Sequence, residues 1–264
     1  MDTTSYTTIL LERRGRVLHA KFNRPASMNA INHDAHVELA RFFGELAVDP
    51  LTDIAVLSGA GRAFSAGGDI EHMQTMIDDP RQFSDQIPDM KRLIFSLLDC
   101  PKPIIAKVNG AAVGLGATIA LFCDVIFAAE NVKIGDPHVR VGLVAGDGGA
   151  VIWPHLIGHA RAKELLLTGR LITSEQAFQL GLINRVVPAG DLDRVVDEFV
   201  GELAKGAMQA IQWTKLSVNV GLKQLAQAVL ESSAAYEALS NRTEDHREAV
   251  RALREKRTPQ FTGR

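Results

Sequence analysis

Two glycine-rich segments with matching surroundings constrain this sequence more than any other feature. Residues 61–68 and residues 109–116 each follow an apolar run, and each precedes a helical pattern. A repeated order of strand, turn and helix is typical of α/β proteins. Glycine allows backbone conformations that other residues avoid and lets a ligand approach the amides closely. We therefore predict an α/β fold in which both segments are ligand-binding loops.

The position of each segment ahead of a helix gives its amides a chemical use. The N-terminus of a helix leaves amides unpaired and partly positive. One amide from each segment could hold a carbonyl oxygen that becomes negative during a reaction, which is an oxyanion hole. For either segment alone, an ordinary tight turn is the alternative interpretation. A dinucleotide site is disfavoured because Ile119 stands where that motif needs its third glycine.

The order of elements predicts two regions. Asn32 or Asp34 is expected to cap a helix that ends near Val48. The polar stretch 71–89 indicates an exposed helical region, and the chain beyond Asp191 reads as nearly all helix. We predict an α/β core in residues 1–200 and a helical region in residues 201–264. The predicted strands span residues 8–12, 17–23, 54–58, 104–108, 125–129, 132–134 and 182–187; further helices span 117–122, 151–156, 160–167 and 174–180.

Composition narrows the classes of partner. The net charge is −2, with 23% charged and 46% hydrophobic residues, so no excess of Lys and Arg favours nucleic acid or an anionic membrane. The first residues lack the basic and apolar pattern of a signal peptide. Cys100 and Cys123 lie in apolar surroundings that fit reduced core thiols. A cytoplasmic location is therefore the expectation.

Taken together, the two glycine-rich segments resemble the crotonase, or enoyl-CoA hydratase/isomerase, superfamily. The resemblance implies an α/β fold with a crotonase-type ββα spiral core in residues 1–200 and a helical trimerisation region in residues 201–264. It also implies an acyl-CoA substrate, no cofactor apart from the coenzyme A of that substrate, and a homotrimer or a hexamer built as a dimer of trimers. Further matching motifs follow in the same order at residues 22–25, 28–30, 166–169, 177–187, 243–245 and 255–257.

The resemblance also implies individual site residues. The oxyanion amides would be those of Gly68 and Leu115. Cationic side chains are suited to the phosphates of coenzyme A, although for each one taken singly an ordinary surface charge is the favoured interpretation. The implied substrate-binding positions are Arg24, Arg62, Ala63, Ala66, Gly67, Lys256 and Phe261.

The two catalytic glutamates typical of these hydratases are replaced in this chain. Their positions match Thr118 and His138, and a threonine hydroxyl is not a base near neutral pH. Histidine titrates in that range, and a carboxylate can fix its tautomer and stabilise its charged form. Asp147, nine residues after His138, is the predicted partner. The alternative is a structural histidine and an aspartate that caps the next helix.

Residues 142–155 are similar to the β-diketone hydrolase branch of the superfamily, which cleaves carbon–carbon bonds by a retro-Claisen route. That likeness implies functional roles for His36 and Glu237. A further histidine of that branch is absent here, because its position is occupied by Leu115. No metal is expected, because the histidine pairs with helical spacing lack a carboxylate partner in sequence.

The leading hypothesis is an enoyl-CoA hydratase/isomerase-type enzyme that stabilises a thioester enolate with two amides and a His–Asp pair. The alternatives are a retro-Claisen hydrolase of a β-dicarbonyl substrate and a non-catalytic acyl-CoA-binding homologue.

Overall fold

A computed structural model describes all 264 residues, and its strands form two sheets. The larger sheet has the order β1-β2-β3-β5-β7-β10, in which β1 and β2 are antiparallel and all other neighbours are parallel. Its strands, numbered with all others in chain order, are β1 (Ile9–Arg14), β2 (Val17–Phe22), β3 (Ile54–Gly59), β5 (Ile104–Val108), β7 (Val125–Ala129) and β10 (Arg185–Val187).

The smaller sheet includes a strand from each glycine-rich segment and the strand that precedes His138. It has the order β4-β6-β8-β9, and its first three strands run parallel. The segments that follow these parallel strands therefore leave the sheet at one edge. The strands are β4 (Ala63–Ser65), β6 (Ala111–Val113), β8 (Lys133–Gly135) and the antiparallel β9 (Ile172–Thr173).

Ten α-helices surround the sheets, and local sequence explains several of their ends. The side chain of Asn32 accepts a hydrogen bond from the Ala35 amide at the start of the first helix. Thr173 and Gln176 form a capping box at the start of the seventh. The helices are α1 (His33–Val48), α2 (Ile70–Asp78), α3 (Pro80–Asp99), α4 (Leu115–Phe122), α5 (Gly149–Ile157), α6 (His159–Thr168), α7 (Ser174–Leu180), α8 (Leu192–Ala204), α9 (Met208–Ser240) and α10 (Glu244–Glu255).

The apolar core joins the sheets to the C-terminal helices. Trp153, Phe42 and Phe43 are fully buried within it. Ala226, Leu230 and Ala234 of α9 belong to the same cluster, so this helix packs against the α/β core. A smaller cluster lies between the larger sheet and α8.

The predicted α/β class is confirmed, and most element bounds agree within one or two residues. The expectation of continuous loops at residues 61–68 and 109–116 is wrong, because each contains a three-residue strand, β4 or β6. Such short strands show no periodicity and form by pairing with each other. The strand predicted at 182–187 begins only at Arg185. At Asn184 the side-chain oxygen, rather than the backbone carbonyl, accepts the hydrogen bond from the Ile126 amide.

The segment 71–89 is helical, as expected, but it contains two helices. Asp79 ends α2 and caps α3, and Pro80 occupies the first position of α3, where a missing amide costs nothing. Pro88 lies within α3 without ending it. Both cysteines are free and buried. None of the helices combines the length and the apolar character that crossing a membrane would require.

Candidate active site

Three chain segments converge where the parallel strands of the smaller sheet end. Gly67 follows β4, Gly114 follows β6, and His138 follows β8. A Cβ atom on Gly67 would lie 2.8 Å from the Val113 carbonyl oxygen, and one on Gly114 would lie 3.6 Å from the His138 ring. Gly67 also has a φ of +87°, which side-chain-bearing residues rarely adopt. Glycine at these positions therefore allows the three segments to touch.

Two backbone amides at this junction have no partner within the protein. Leu115 is the first residue of α4, whose N-cap Gly114 supplies no side chain, so its N–H is one of the unpaired donors of a helix start. The Gly68 N–H also donates to no protein atom. Both residues line a cavity of about 90 Å³. The predicted pair of amides is thus available to a ligand oxygen.

His138 lies between two buried carboxylates. Its Nδ1 is hydrogen-bonded to Asp136, and its Nε2 lies 3.4 Å from Oδ2 of Asp147. Burial disfavours the charged imidazole, but the two carboxylates outweigh it and raise the pKa of His138 well above its usual value. Both ring nitrogens can face carboxylates as donors only when both carry protons. The geometry therefore favours an imidazolium.

Asp147 is held by Thr118. Its Oδ1 accepts from the Thr118 hydroxyl at 3.2 Å and from the Gly149 amide at 3.4 Å. Burial raises the pKa of Asp147, and the charge of His138 opposes that rise. Thr118 thus orients a carboxylate, and Oδ2 of Asp147 remains on the side of His138.

Glu237 of α9 brings a further carboxyl group to the cavity that Asp147 lines. It makes no hydrogen bond, and its Oε2 is completely buried. Burial, with the nearby charge of Asp147, raises the pKa of Glu237 to about 8. A Cβ atom on Gly146 would lie 2.6 Å from that Oε2, so a glycine there is what admits the carboxyl group. At neutral pH Glu237 is therefore mainly a neutral acid.

Asp136, His138 and Asp147 are also close enough to share a cation, since their potential ligand atoms all lie within 4.8 Å of one another. A metal would need one of the His138 nitrogens that face the carboxylates. The observed contacts already match a protonated imidazole, which holds the same two carboxylates without a metal.

The far wall of the cavity comes from α1, α2 and α3. It combines the apolar side chains of Met73, Met76, Phe83, Ile87 and Met90 with the polar side chains of His36, His72 and Gln86. Burial lowers the pKa of His36 to about 4, so this ring is neutral at physiological pH.

A wider groove of about 600 Å³ opens beside the cavity, and the two share Gly68, Asp69, Met73 and His138. Arg62, Ala66 and Gly67, three of the implied substrate-binding positions, line this groove. The remaining four implied positions do not line it. Ala63 is buried in β4, and Arg24 is paired with Asp69 at 2.9 Å. Lys256 and Phe261 are exposed near the C-terminus.

Three residues of the site have no recognised role in the sequence motifs: Asp136, His72 and Gln86. The sequence could have indicated Asp136, because the carboxylate of a residue two positions before a histidine can contact the histidine ring. His72 and Gln86 lie in polar helices without any motif. Only the packing of α2 against α3 brings these two side chains together.

Comparison with known proteins gives a consistent result. The sequence matches the family described as enoyl-CoA hydratase/isomerase over residues 12–264. It is 33% identical to a crotonyl-CoA hydratase of Syntrophomonas wolfei, over 97% of this chain and 98% of the relative. It is 32% identical to a 1,2-epoxyphenylacetyl-CoA isomerase of Escherichia coli, over 94% and 95%. An enoyl-CoA hydratase/isomerase structure from Mycobacterium paratuberculosis superposes with a TM-score of 0.90 at 38% identity, over 94% and 98%.

Proposed function

The chain belongs to the enoyl-CoA hydratase/isomerase family and is an enzyme of that family, and on this premise we propose that it adds water to a 2-enoyl-CoA thioester. One observation carries the proposal. The free amides of Gly68 and Leu115 line the same cavity as His138, Asp147 and Glu237. Two amide donors stabilise the negative charge that develops on a thioester oxygen when an enolate forms.

The neighbouring groove fits the coenzyme A part of such a substrate. It is open and several times larger than the cavity, and Arg62 offers a cation to the phosphates. The thioester carbon would lie at the junction of the two spaces, next to Gly68 and His138. Coenzyme A enters as part of the substrate, and the proposed reaction uses no separate cofactor.

The charges around His138 suggest how protons move. Asp147 removes a proton from water as the water oxygen bonds to the β-carbon, which produces the enolate held by the two amides. His138 Nε2 then gives its proton to the α-carbon. The proton on Asp147 crosses to His138 Nε2, over the 3.4 Å that separates them, and restores the starting state. Asp136 keeps the ring oriented through Nδ1.

Turnover of a series of 2-enoyl-CoA thioesters tests this function. We expect the wild type to form 3-hydroxyacyl-CoA, and His138→Gln to lose roughly 100-fold to 10,000-fold in kcat, the usual contribution of general acid–base catalysis. His155→Gln, which changes an exposed histidine, is the matched control and should retain full activity. An unchanged rate in His138→Gln would contradict the proposed proton path.

A retro-Claisen hydrolase is the second candidate, and the histidine flanked by carboxylates in place of two glutamates favours it. The same two amides would stabilise the oxyanion that forms when water attacks a ketone. Product analysis separates the candidates, because hydration keeps the carbon skeleton whereas cleavage yields a carboxylic acid. Tight coenzyme A binding without turnover of either substrate class would instead indicate a non-catalytic homologue.

A further inference from the structure

The far wall of the cavity is more polar than an alkyl group requires. Sites for alkyl chains are lined mainly by apolar side chains, because an unpaired polar group beside an apolar ligand loses its hydration. Here His36, His72 and Gln86 stand among three methionines, one phenylalanine and one isoleucine of that wall. The arrangement indicates that the acyl group itself carries a polar atom.

The hydrogen bonds around His72 fix its tautomer. The Thr75 hydroxyl donates to the His72 carbonyl oxygen at 2.8 Å, so its proton is already used. The same Thr75 oxygen lies 3.3 Å from His72 Nδ1 and can only accept there, which places the ring proton on Nδ1. His72 Nε2 is then an acceptor. Burial also lowers the pKa of His72, in agreement with a neutral ring.

Gln86 uses its amide nitrogen to satisfy two rings. Its Nε2 lies 2.6 Å from the accepting Nε2 of His72 and 3.2 Å from Nδ1 of His33. Both amide protons are thereby used, and the side chain is held from two helices, α1 and α2. The carbonyl oxygen Oε1 has no partner within the protein and stays free as an acceptor.

The volume of the cavity limits the acyl group. One water molecule needs roughly 10–15 Å³ of such space, so about 90 Å³ admits on the order of six non-hydrogen atoms. Neutral His36 on the same wall offers a further donor or acceptor. A hydroxyl group both donates and accepts, and therefore suits this wall better than a carbonyl or a methyl group does.

We propose that Gln86, held by His72 and His33, determines specificity by accepting a hydrogen bond from a hydroxyl group on the acyl part of the substrate. The protein then prefers short hydroxyacyl thioesters of coenzyme A to alkyl ones. This inference rests on the proposed function, because it assumes that the cavity receives the acyl group.

Equilibrium binding of a matched saturated pair, butanoyl-CoA and 4-hydroxybutanoyl-CoA, tests the inference without any turnover. We expect the wild type to bind the hydroxylated thioester about fivefold to tenfold more tightly, as one neutral hydrogen bond gives. Gln86→Met should abolish that preference while still binding butanoyl-CoA. Gln86→Glu, which retains an acceptor oxygen but loses the N–H donors that hold it to His72 and His33, should keep only part of the preference. Gln82→Met, on an exposed position of the same helix, should behave as wild type.

Each contrary result has a distinct meaning. Equal binding of the two thioesters by the wild type overturns the inference, and if but-2-enoyl-CoA is still hydrated the proposed function survives. An equal loss for both thioesters in Gln86→Met also overturns it, because that pattern indicates a purely structural glutamine. Binding of neither thioester by the wild type contradicts the inference and the proposed function together.

Discussion

Glu237 shows how one buried residue can make the whole protein sensitive to pH. Its pKa is raised from 4.5 to about 8, mainly because burial penalises the carboxylate. Between pH 4.5 and pH 8, Glu237 therefore keeps its proton in the folded state and loses it in the unfolded state. The stability contributed by that proton is fully present below pH 4.5 and is lost progressively as the pH rises through 8.

We predict that Glu237→Gln, which keeps a neutral side chain at every pH, flattens this dependence. Between pH 5 and pH 8, the free energy of unfolding of the wild type should fall relative to the variant by on the order of 1 kcal/mol per pH unit. Denaturant titrations at several pH values would measure the difference. Parallel curves for the two proteins would show that Glu237 is ionised in the folded state.

Gly67 must be glycine for two reasons: its φ is positive, and it lies against the backbone of Val113. We predict that Gly67→Ala destabilises the fold by about 1–3 kcal/mol and abolishes turnover, because the new Cβ meets the Val113 carbonyl at a positive φ. Gly201→Ala is the control, since that helical glycine has open space around it and alanine favours helices. Thermal unfolding and the rate of hydration would be measured for both. Wild-type activity in Gly67→Ala would disprove the requirement for contact.

The cluster of Asp136, His138 and Asp147 also allows a prediction about metals. Because both His138 nitrogens face carboxylates, we predict that exhaustive dialysis against a chelator leaves the rate unchanged. The hydration rate would be measured before dialysis, after dialysis, and after addition of Zn²⁺ or Mn²⁺ to the dialysed protein. Loss and recovery of activity would assign the cluster to a metal.

At the level of elements, the turn at His138–Val141 depends on α10. His246 is buried on that helix, and its Nδ1 lies 2.6 Å from the Val141 carbonyl oxygen. A Cβ atom on Gly142, just after the turn, would come within 2.8 Å of the His246 amide nitrogen. A helix more than 100 residues later in the chain therefore fixes the segment that carries His138.

We predict that His246→Leu lowers kcat more than it raises KM, because the turn moves while the groove for coenzyme A is retained. The unpaired Val141 carbonyl should also cost about 1–3 kcal/mol of stability. His246→Gln, which can still donate to that oxygen, should recover part of both losses. Steady-state kinetics and denaturant unfolding of the two variants would test this. An effect confined to KM would contradict a positioning role.

The smaller sheet marks the limit of what the sequence could predict about elements. Glycine spacing predicted the tight turns at Gly67 and Gly114, since such turns depend on local backbone freedom. The strands β4 and β6 were not predictable, because three residues carry no periodicity and their pairing is tertiary. Asp147 could be proposed as a partner of His138 from its position in the sequence. The contact of Gln86 with His72 could not, because it depends on the packing of two helices.

At the level of the whole molecule, the exposed apolar side chains of α9 indicate a further surface to be covered. Tyr236 is 63% exposed and Leu239 is 61% exposed, and Phe261 near the C-terminus is 47% exposed. Exposed apolar groups of this size often mark subunit contacts. The homotrimer, or dimer of trimers, implied by the sequence resemblance would use such a surface, and remains a prediction.

We predict that the double substitution Tyr236→Glu and Leu239→Glu reduces the oligomer to monomers. Charged groups on an apolar contact lose hydration without gaining a partner. Val48→Glu is the control, because that side chain is 80% exposed on a different helix. Light scattering coupled to size-exclusion chromatography would give the masses. A wild-type protein that is already monomeric would refute the assembly itself.

The junction between groove and cavity has a consequence for how the substrate range could change. Gly68 and His138 belong to both spaces, so the thioester position that we propose is the same whatever lies on either side. In that proposal, the part of the acyl group beyond this point meets residues of α1, α2 and α3 rather than the strand ends of the smaller sheet. Substitutions in these helices could thus exchange one acyl group for another while the activation of the thioester stays intact. Substrate selectivity and thioester activation would therefore depend on different residues, and mutation or laboratory evolution could change one without the other.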